Sequence, residues 1–413
     1  MAFFARKFNL GFLISTLRNI YPYLYLLFVF ALPLDKYAPA APNIILLTLI
    51  ATFPFVVKAE NFKILQKKEV AIFVVLIAYA ILNSLLFHDF IEDKKVIQKI
   101  ASSLLPLLLF IPIKSTRNLK ITFIISVVGC ILYSFFQIYR YYIDTGAYNF
   151  SSGEIINEIL ILERLYLGFI CVLSIVLSVG LFRKGNLGHN KWLYLNIILC
   201  SVFVFLVVSR IAIILIVILF CLQIFYSKHT KKFALAFFCF LAFAALAFFI
   251  NDNLTQRFFY SQSTQPDKNY FELLKQWEPR FVIWDCSYDI IKTENISAIG
   301  LGFNKTNDFL VSCYEEVVKP APRRNYFIRR KFNTHNQYVD FWLSVGLVGT
   351  LIFLYLLVTM FLRNRKLFFQ TALIISIVLF SGVENIFHRQ LGAYLFGLIL
   401  VFLINENKEI EFD

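Results

Sequence analysis

Charge and histidine are scarce in this chain. Only 16% of its 413 residues are Asp, Glu, Lys or Arg, and it holds 5 histidines and 4 tryptophans. A soluble domain of this size needs about a quarter of its residues charged, so that class is excluded. The 7 cysteines form no Cys-x-x-Cys pair and no Cys/His spacing of the kind that holds zinc, and no metal site is expected. No small-residue cleavage site follows the first apolar run, which reads as an anchor helix and not a removed signal peptide. Internal repeats are also lacking, which counts against the duplicated build of many transporters.

What is abundant is apolar side chain. Hydrophobic residues make up 59% of the sequence, 48 of them Phe, and the mean hydropathy is +0.70. The expected fold is an all-α polytopic membrane protein with about twelve transmembrane helices, each near the length that crosses the hydrocarbon core. The spans read from the sequence are 18–34, 41–57, 70–87, 100–113, 119–139, 164–182, 192–208, 210–226, 233–250, 338–361, 367–381 and 389–404. Residues 1–250 thus carry nine spans, 251–337 form one large helical loop, and 338–413 carry the last three spans and a tail.

Cations in the short loops set the orientation. Arg6, Lys7 and Arg18 open the chain, and further clusters follow at Lys58/Lys63/Lys67/Lys68, Lys114/Arg117/Lys120, Arg183/Lys184/Lys191, Lys228/Lys231/Lys232 and Arg363/Arg365/Lys366. With twelve spans these all fall on the side of both termini, which is expected to be the cytoplasm. The large loop then faces outward, to the periplasm of a cell with two membranes. On the outer side Lys94, Lys95 and Lys99 are the exceptions among the short loops.

The large loop is itself basic, from Arg257, Lys268 and Lys275 through Arg280, Lys292, Lys305 and Lys319 to Arg323/Arg324 and Arg329/Arg330/Lys331. It is either a solvated exported loop or a cap that concentrates anions, for which phosphate-rich lipids and diphosphate carriers are the available partners. Nucleic acid is not expected, because no reader fold accompanies the charge. Cys286 and Cys313 lie in the same loop, where a disulfide is chemically permitted but not fixed by spacing. The other five cysteines fall singly within spans and read as small apolar residues.

Within the loop, Glu278-Pro279-Arg280 reads as a helix start that puts Arg280 in the first turn beside unpaired N–H groups, an arrangement able to hold a phosphate. Trp284 is four residues on, so Arg280 stacked on its ring is the alternative. Arg210 has almost no loop around it and sits at a membrane boundary, either as a functional cation or as one snorkelling to headgroups. Arg140, Arg164 and Arg389 hold similar positions. Of the histidines, His189 and His229 lie among lysines, His88 stands beside Asp89, Glu92 and Asp93 as a turn or a cation site, and His388 neighbours Arg389 near Glu384. His335 alone joins the basic loop to an aromatic helix start at Tyr338, Phe341 and Trp342, where a neutral imidazole can take a proton from a hydroxyl.

Three stretches resemble the O-antigen ligase and polymerase superfamily of bacterial cell-envelope glycosyltransferases. SRIAIILIVIL from Ser209 is similar to its arginine-led helix; WEPRFVIWDCSYDIIKTENISAIGLGFNK from Trp277 resembles its Arg-x-x-x-Trp helix and glycine-rich turn, with Ser297-Ala298 in place of a proline before Gly300 and Gly302; THNQYVDFWLSVGLVGTLIF from Thr334 is similar to its His-Asn helix with Gly-x-x-Gly. SGVENIFHRQLGAYLFG from Ser381 resembles the start of its last helix. The resemblance implies a GT-C type enzyme of the bacterial inner membrane, with its active site on the periplasmic face. It implies transfer of a glycan from undecaprenyl diphosphate to a hydroxyl of lipid A-core, in lipopolysaccharide biosynthesis. Carried over by motif, Arg210 and Arg280 become diphosphate-binding catalytic residues and His335 the catalytic histidine, with Arg389, Trp284 and Asn336 as further donor or acceptor contacts.

Guanidiniums stabilise a departing diphosphate without a metal, so an inverting, metal-independent transfer with no cofactor is expected. A polymerase of O-antigen or exopolysaccharide would share donor, fold and residues, and remains the alternative. A polytopic transporter or flippase is the reading from a different class.

Overall fold

The computed structural model describes residues 10–34, 36–146, 153–183, 186–227, 230–250, 278–294, 296 and 298–405. Of the residues singled out above, Arg6, Lys7, Lys184, Lys228, His229, Arg257, Lys268, Lys275, Trp277 and Ser297 lie outside that set.

The described residues are helical, without strands. In chain order the helices are α1 Leu10–Ala31, α2 Ala40–Val56, α3 Lys68–Phe87, α4 Phe90–Ser102, α5 Leu105–Phe110, α6 Arg117–Thr145, α7 Gly153–Ile159, α8 Arg164–Val179 and α9 Leu187–Leu206, whose first turn holds His189. They continue with α10 Arg210–Tyr226, α11 Thr230–Ile250, α12 Pro279–Thr293, α13 Phe303–Val317, α14 Ala321–Arg330, α15 Gln337–Asn364, α16 Phe368–Ser381 and α17 Gln390–Asn405. Segments Ile14–Leu34, Lys68–Phe87, Arg117–Thr145 and Gln337–Asn364 are long and apolar enough to cross a membrane; Ala40–Val56 and Ala59–Gln66, bent by 116° to one another, pass together as a broken span or a re-entrant loop. Shorter apolar helices, among them α8, α10, α16 and α17, occupy other ranges expected to span. Among the described residues, then, four helices are long and apolar enough to cross a membrane, or five if the bent pair is one span, and the count of twelve remains an expectation.

The range 100–113 departs from the reading of one continuous span. The chain breaks at Ser103–Leu104, leaving the charged α4 on one side and the six-residue α5 on the other. A helix that short leaves its carbonyls without helical partners. Tyr21 and Tyr25, one turn apart on α1, add donors from outside: their hydroxyls reach the carbonyls of Leu109, in the last turn, and Pro106, each at 2.7 Å. Both tyrosines are fully buried, so losing either contact would strand a polar group in an apolar medium.

Two apolar clusters divide the molecule. The larger joins the long helices, with Phe169 stacked on Phe380 at 3.9 Å and Phe341 stacked on Phe387 at 5.8 Å between ring centroids. The smaller is a cap built by α12, α13 and α14, centred on Ile283, Ile290, Leu310, Tyr314 and Phe327. Cys286 and Cys313 form a disulfide that ties α12 to α13 inside this cap. Several cap cations lie over rings of their own helices, Lys292 over Tyr288, Arg323 over Phe327 and Arg330 over Tyr326.

A backbone clasp fastens the cap to α15. Gly346 interrupts that helix with φ 74 and ψ −175, which frees carbonyls just before it. Leu301 and Gly302 donate their N–H groups to the Leu343 and Ser344 carbonyls at 2.7 and 2.8 Å. From the other side Asn83 of α3 donates to the Ile299 carbonyl at 2.9 Å. Gly300 also has positive φ, and a Cβ there would meet the Gly346 nitrogen at 2.5 Å. A Cβ on Gly346 would meet the Ala298 oxygen at 2.2 Å, so the crossing admits only glycine on both strands.

Candidate active site

The clasp brings the start of α12 beside the start of α15, and both face the loop between α16 and α17. His335 precedes α15 in the left-handed region, φ 45, a strained conformation for a side chain with a Cβ. Its backbone is held on each side. Its N–H donates to Asn333 Oδ1 at 3.1 Å; Thr334 accepts at its carbonyl from Trp284 Nε1 at 3.1 Å; Asn336 caps α15 by accepting from the N–H groups of Tyr338 and Val339. Trp284 and Asn336 thus fix the loop that carries His335.

The imidazole meets a carboxylate. His335 Nδ1 lies 3.2 Å from Oε2 of Glu384, which is buried at 3% exposure. Burial alone pushes the Glu384 carboxyl up, but the His335 hydrogen bond and the charges of His335, Arg389 and Arg280 outweigh it and hold the group below the usual carboxylate range. An ionised carboxylate only accepts, so Nδ1 is the donor in this contact.

Beneath His335 lies a buried polar layer. The Asn385 amide donates to Thr334 Oγ1 at 2.9 Å and to Asp340 Oδ1 at 3.0 Å, and Asp340 Oδ2 meets His388 Nε2 at 2.9 Å. Thr334, Asn385 and Asp340 have almost no exposed surface. These groups satisfy one another, which is what keeps such a layer from destabilising the core.

Three arginines close the arrangement. Arg210, the first residue of α10, and Arg280, in the first turn of α12, share one carboxylate: Glu278 accepts from Arg210 through Oε2 and from Arg280 through Oε1 at 3.2 Å. Arg280 also donates to the Val383 carbonyl at 3.2 Å, which joins it to the Glu384 loop. Arg389 donates to Glu163 at 2.7 Å and places its Nε 3.9 Å from Glu384. Arg389 thus lies directly beside Glu384, the partner of His335, Arg280 reaches the same loop through the Val383 carbonyl, and Arg210 is joined to Arg280 through Glu278. Arg164 is turned inward, 3.5 Å from the Val207 carbonyl, and Arg140 lies exposed over Phe136.

His88 takes a structural part. It meets the Ile299 carbonyl, Asp89 caps α4, and Asp93 accepts from Ser84 and the Asn304 N–H. Among the described residues no group of three His, Cys, Asp or Glu is arranged to hold a metal. The partners of the cations and of His335 are what residue type alone does not reveal: Glu278 is visible only as part of a helix start, Glu384 only as a neighbour of His388, and Glu163, Asp340 and Asn385 carry no local signal.

The arrangement offers cations for an anion, a proton acceptor beside them, and fixed backbone around both. No curated protein matches the chain. Residues 195–354, less than half of the chain but including Arg210, Glu278, Arg280 and His335, match the family model described as O-antigen ligase, so this segment is similar to that family.

Proposed function

We propose that this protein is a membrane glycosyltransferase that moves a glycan from undecaprenyl diphosphate to a hydroxyl of lipid A-core at the periplasmic face of the inner membrane. The observation that carries the proposal is that the loop bearing Glu384, the partner of His335, also accepts from Arg280 and holds Arg389, while Glu278 joins Arg280 to Arg210.

In this reading the planar guanidiniums of Arg210 and Arg280 grip the diphosphate, and Arg389 adds positive charge from the far side of Glu384. Nε2 of His335 takes the proton of the acceptor hydroxyl, while Glu384 holds the ring and stabilises the imidazolium. The hydroxyl oxygen bonds to the anomeric carbon as the bond from that carbon to the phosphate oxygen breaks. The electron pair leaves with the undecaprenyl diphosphate. Attack opposite the leaving group inverts the anomeric configuration, and fixed cations stabilise the charge without a metal.

Glycan profiling of a deletion strain complemented with wild type or with His335→Ala tests this. Full-length chains left on the carrier beside bare lipid A-core are expected for the variant. Single repeat units accumulating instead would assign a polymerase, and donor trapped on the inner leaflet would assign a flippase.

A further inference from the structure

Two loops run past one another beneath the imidazole and are joined residue by residue. Glu384 meets His335, and Thr334, one residue before the histidine, meets Asn385, one residue after the glutamate. Asn385 has no exposed surface, and its amide nitrogen donates twice, to Thr334 Oγ1 at 2.9 Å and to Asp340 Oδ1 at 3.0 Å. Thr334 lies just before His335 and Asp340 in the first turn of α15 after it, so one amide ties together the chain on both sides of the histidine. The Thr334 hydroxyl in turn donates to the Asn336 carbonyl at 3.0 Å, and Gln337 accepts at Oε1 from the Phe387 N–H at 3.1 Å. His335 sits inside this frame at φ 45, a conformation that persists only where the surroundings over-determine it.

We propose that Asn385 is a positioning residue for the proton transfer, which holds the chain around His335 in its left-handed turn and so keeps the imidazole against Glu384. The proposal rests on the reading of His335 as the base. An apolar side chain of the same shape would fill the space as well, but it sets no direction and lets the two loops slide along one another. Directional bonds to both flanks of the histidine remove that freedom. The effect on rate is large because a reacting group displaced by about 1 Å loses about a hundredfold. Both hydrogens of the Asn385 amide are spent on Thr334 and Asp340, so the residue acts through the histidine and not on the substrate.

The test is single-turnover transfer to lipid A-core from a polyprenyl-diphosphate-linked glycan by the purified full chain, followed across donor concentrations and beside a melting curve. Asn385→Leu keeps the shape of the side chain and removes both hydrogen bonds. Its maximal rate is expected to fall about thirtyfold, while the donor concentration giving half that rate stays within about twofold of wild type. Thr334→Val removes the hydroxyl and is expected to lose about tenfold, whereas Thr334→Ser keeps it and stays within about twofold of wild type; this pair decides if Asn385→Leu fails to melt cooperatively. In a His335→Ala background no imidazole is left to place, so Asn385→Leu is expected to lower the residual rate by less than about twofold. Damage to the fold at large would lower it by the same factor in both backgrounds. The proposal is overturned by an undiminished maximal rate in cooperatively melting Asn385→Leu or Thr334→Val, by a Thr334→Ser no faster than Thr334→Val, or by equal losses with and without His335. No transfer by wild type, or a wild-type rate in His335→Ala, overturns the reading of the base and the positioning role together, whereas a slow His335→Ala beside a fast Asn385→Leu overturns the positioning role alone.

Discussion

His335 and Glu384, 49 residues apart in the chain, meet through Nδ1 and Oε2 at 3.2 Å, and in the proposed transfer this contact leaves Nε2 to take the proton of the acceptor hydroxyl. Glu384→Gln keeps the shape and removes the charge that fixes the tautomer and supports the imidazolium. The turnover of transfer is expected to fall about a hundredfold while the KM for donor changes little, measured with purified protein and a carrier-linked glycan.

The same carboxylate makes a pH prediction. Its folded pKa lies below the ordinary glutamate value, so the ionised form stabilises the fold above that ordinary value, and the contribution disappears as pH falls through the depressed one. Between about pH 5 and about pH 3 the wild-type melting temperature should drop more steeply than that of Glu384→Gln. Parallel curves would show that the group contributes nothing to stability.

The glycine clasp predicts a stability cost remote from the chemistry. Gly346→Ala forces a Cβ toward the Ala298 carbonyl at a backbone angle side chains avoid, and backbone atoms cannot step aside as a flexible side chain would. A loss of about 2–4 kcal/mol is expected in denaturant unfolding. Gly129→Ala, where a Cβ meets nothing within 4 Å, is the control and should be near neutral.

The Cys286–Cys313 bridge closes a segment of 27 residues between the two central cap helices. Replacing both by serine is expected to lower stability by about 2–4 kcal/mol, read as a lower melting temperature that reductant no longer changes.

How much of this was legible in the sequence depends on distance along the chain. Apolar runs reported helices faithfully because each helix satisfies its own backbone, so composition alone locates it. The run at 100–113 misled because Ser103–Leu104 breaks the helix at a point where the residues on the α5 side are as apolar as any span. Arg210, Arg280 and His335 stood out by residue type and motif. Their partners did not: Glu278 lies 68 residues from Arg210 and Glu163 lies 226 from Arg389, separations that no local periodicity encodes. The clasp was half visible, since the sequence showed a glycine-rich turn at Gly300 and Gly302 and a Gly-x-x-Gly at Gly346 and Gly349, but not that Gly300 and Gly346 meet.

Transfer is expected to proceed in the presence of EDTA, because the charge of the departing diphosphate falls to guanidiniums. Loss of transfer on chelation, restored by a divalent cation, would remove the arginines from that role.

The central claim is that cations and imidazole act on one substrate at one place. Single-turnover transfer from a polyprenyl-diphosphate-linked glycan by the purified full chain tests it most directly, with Arg210→Ala, Arg280→Ala and His335→Ala measured beside wild type. Each variant is predicted to fall to about 1% of the wild-type rate or below, and the Arg280→Ala/His335→Ala double variant to fall far less than the product of the two single losses. A wild-type rate in any one of the three single variants, with the protein folded, would contradict the account.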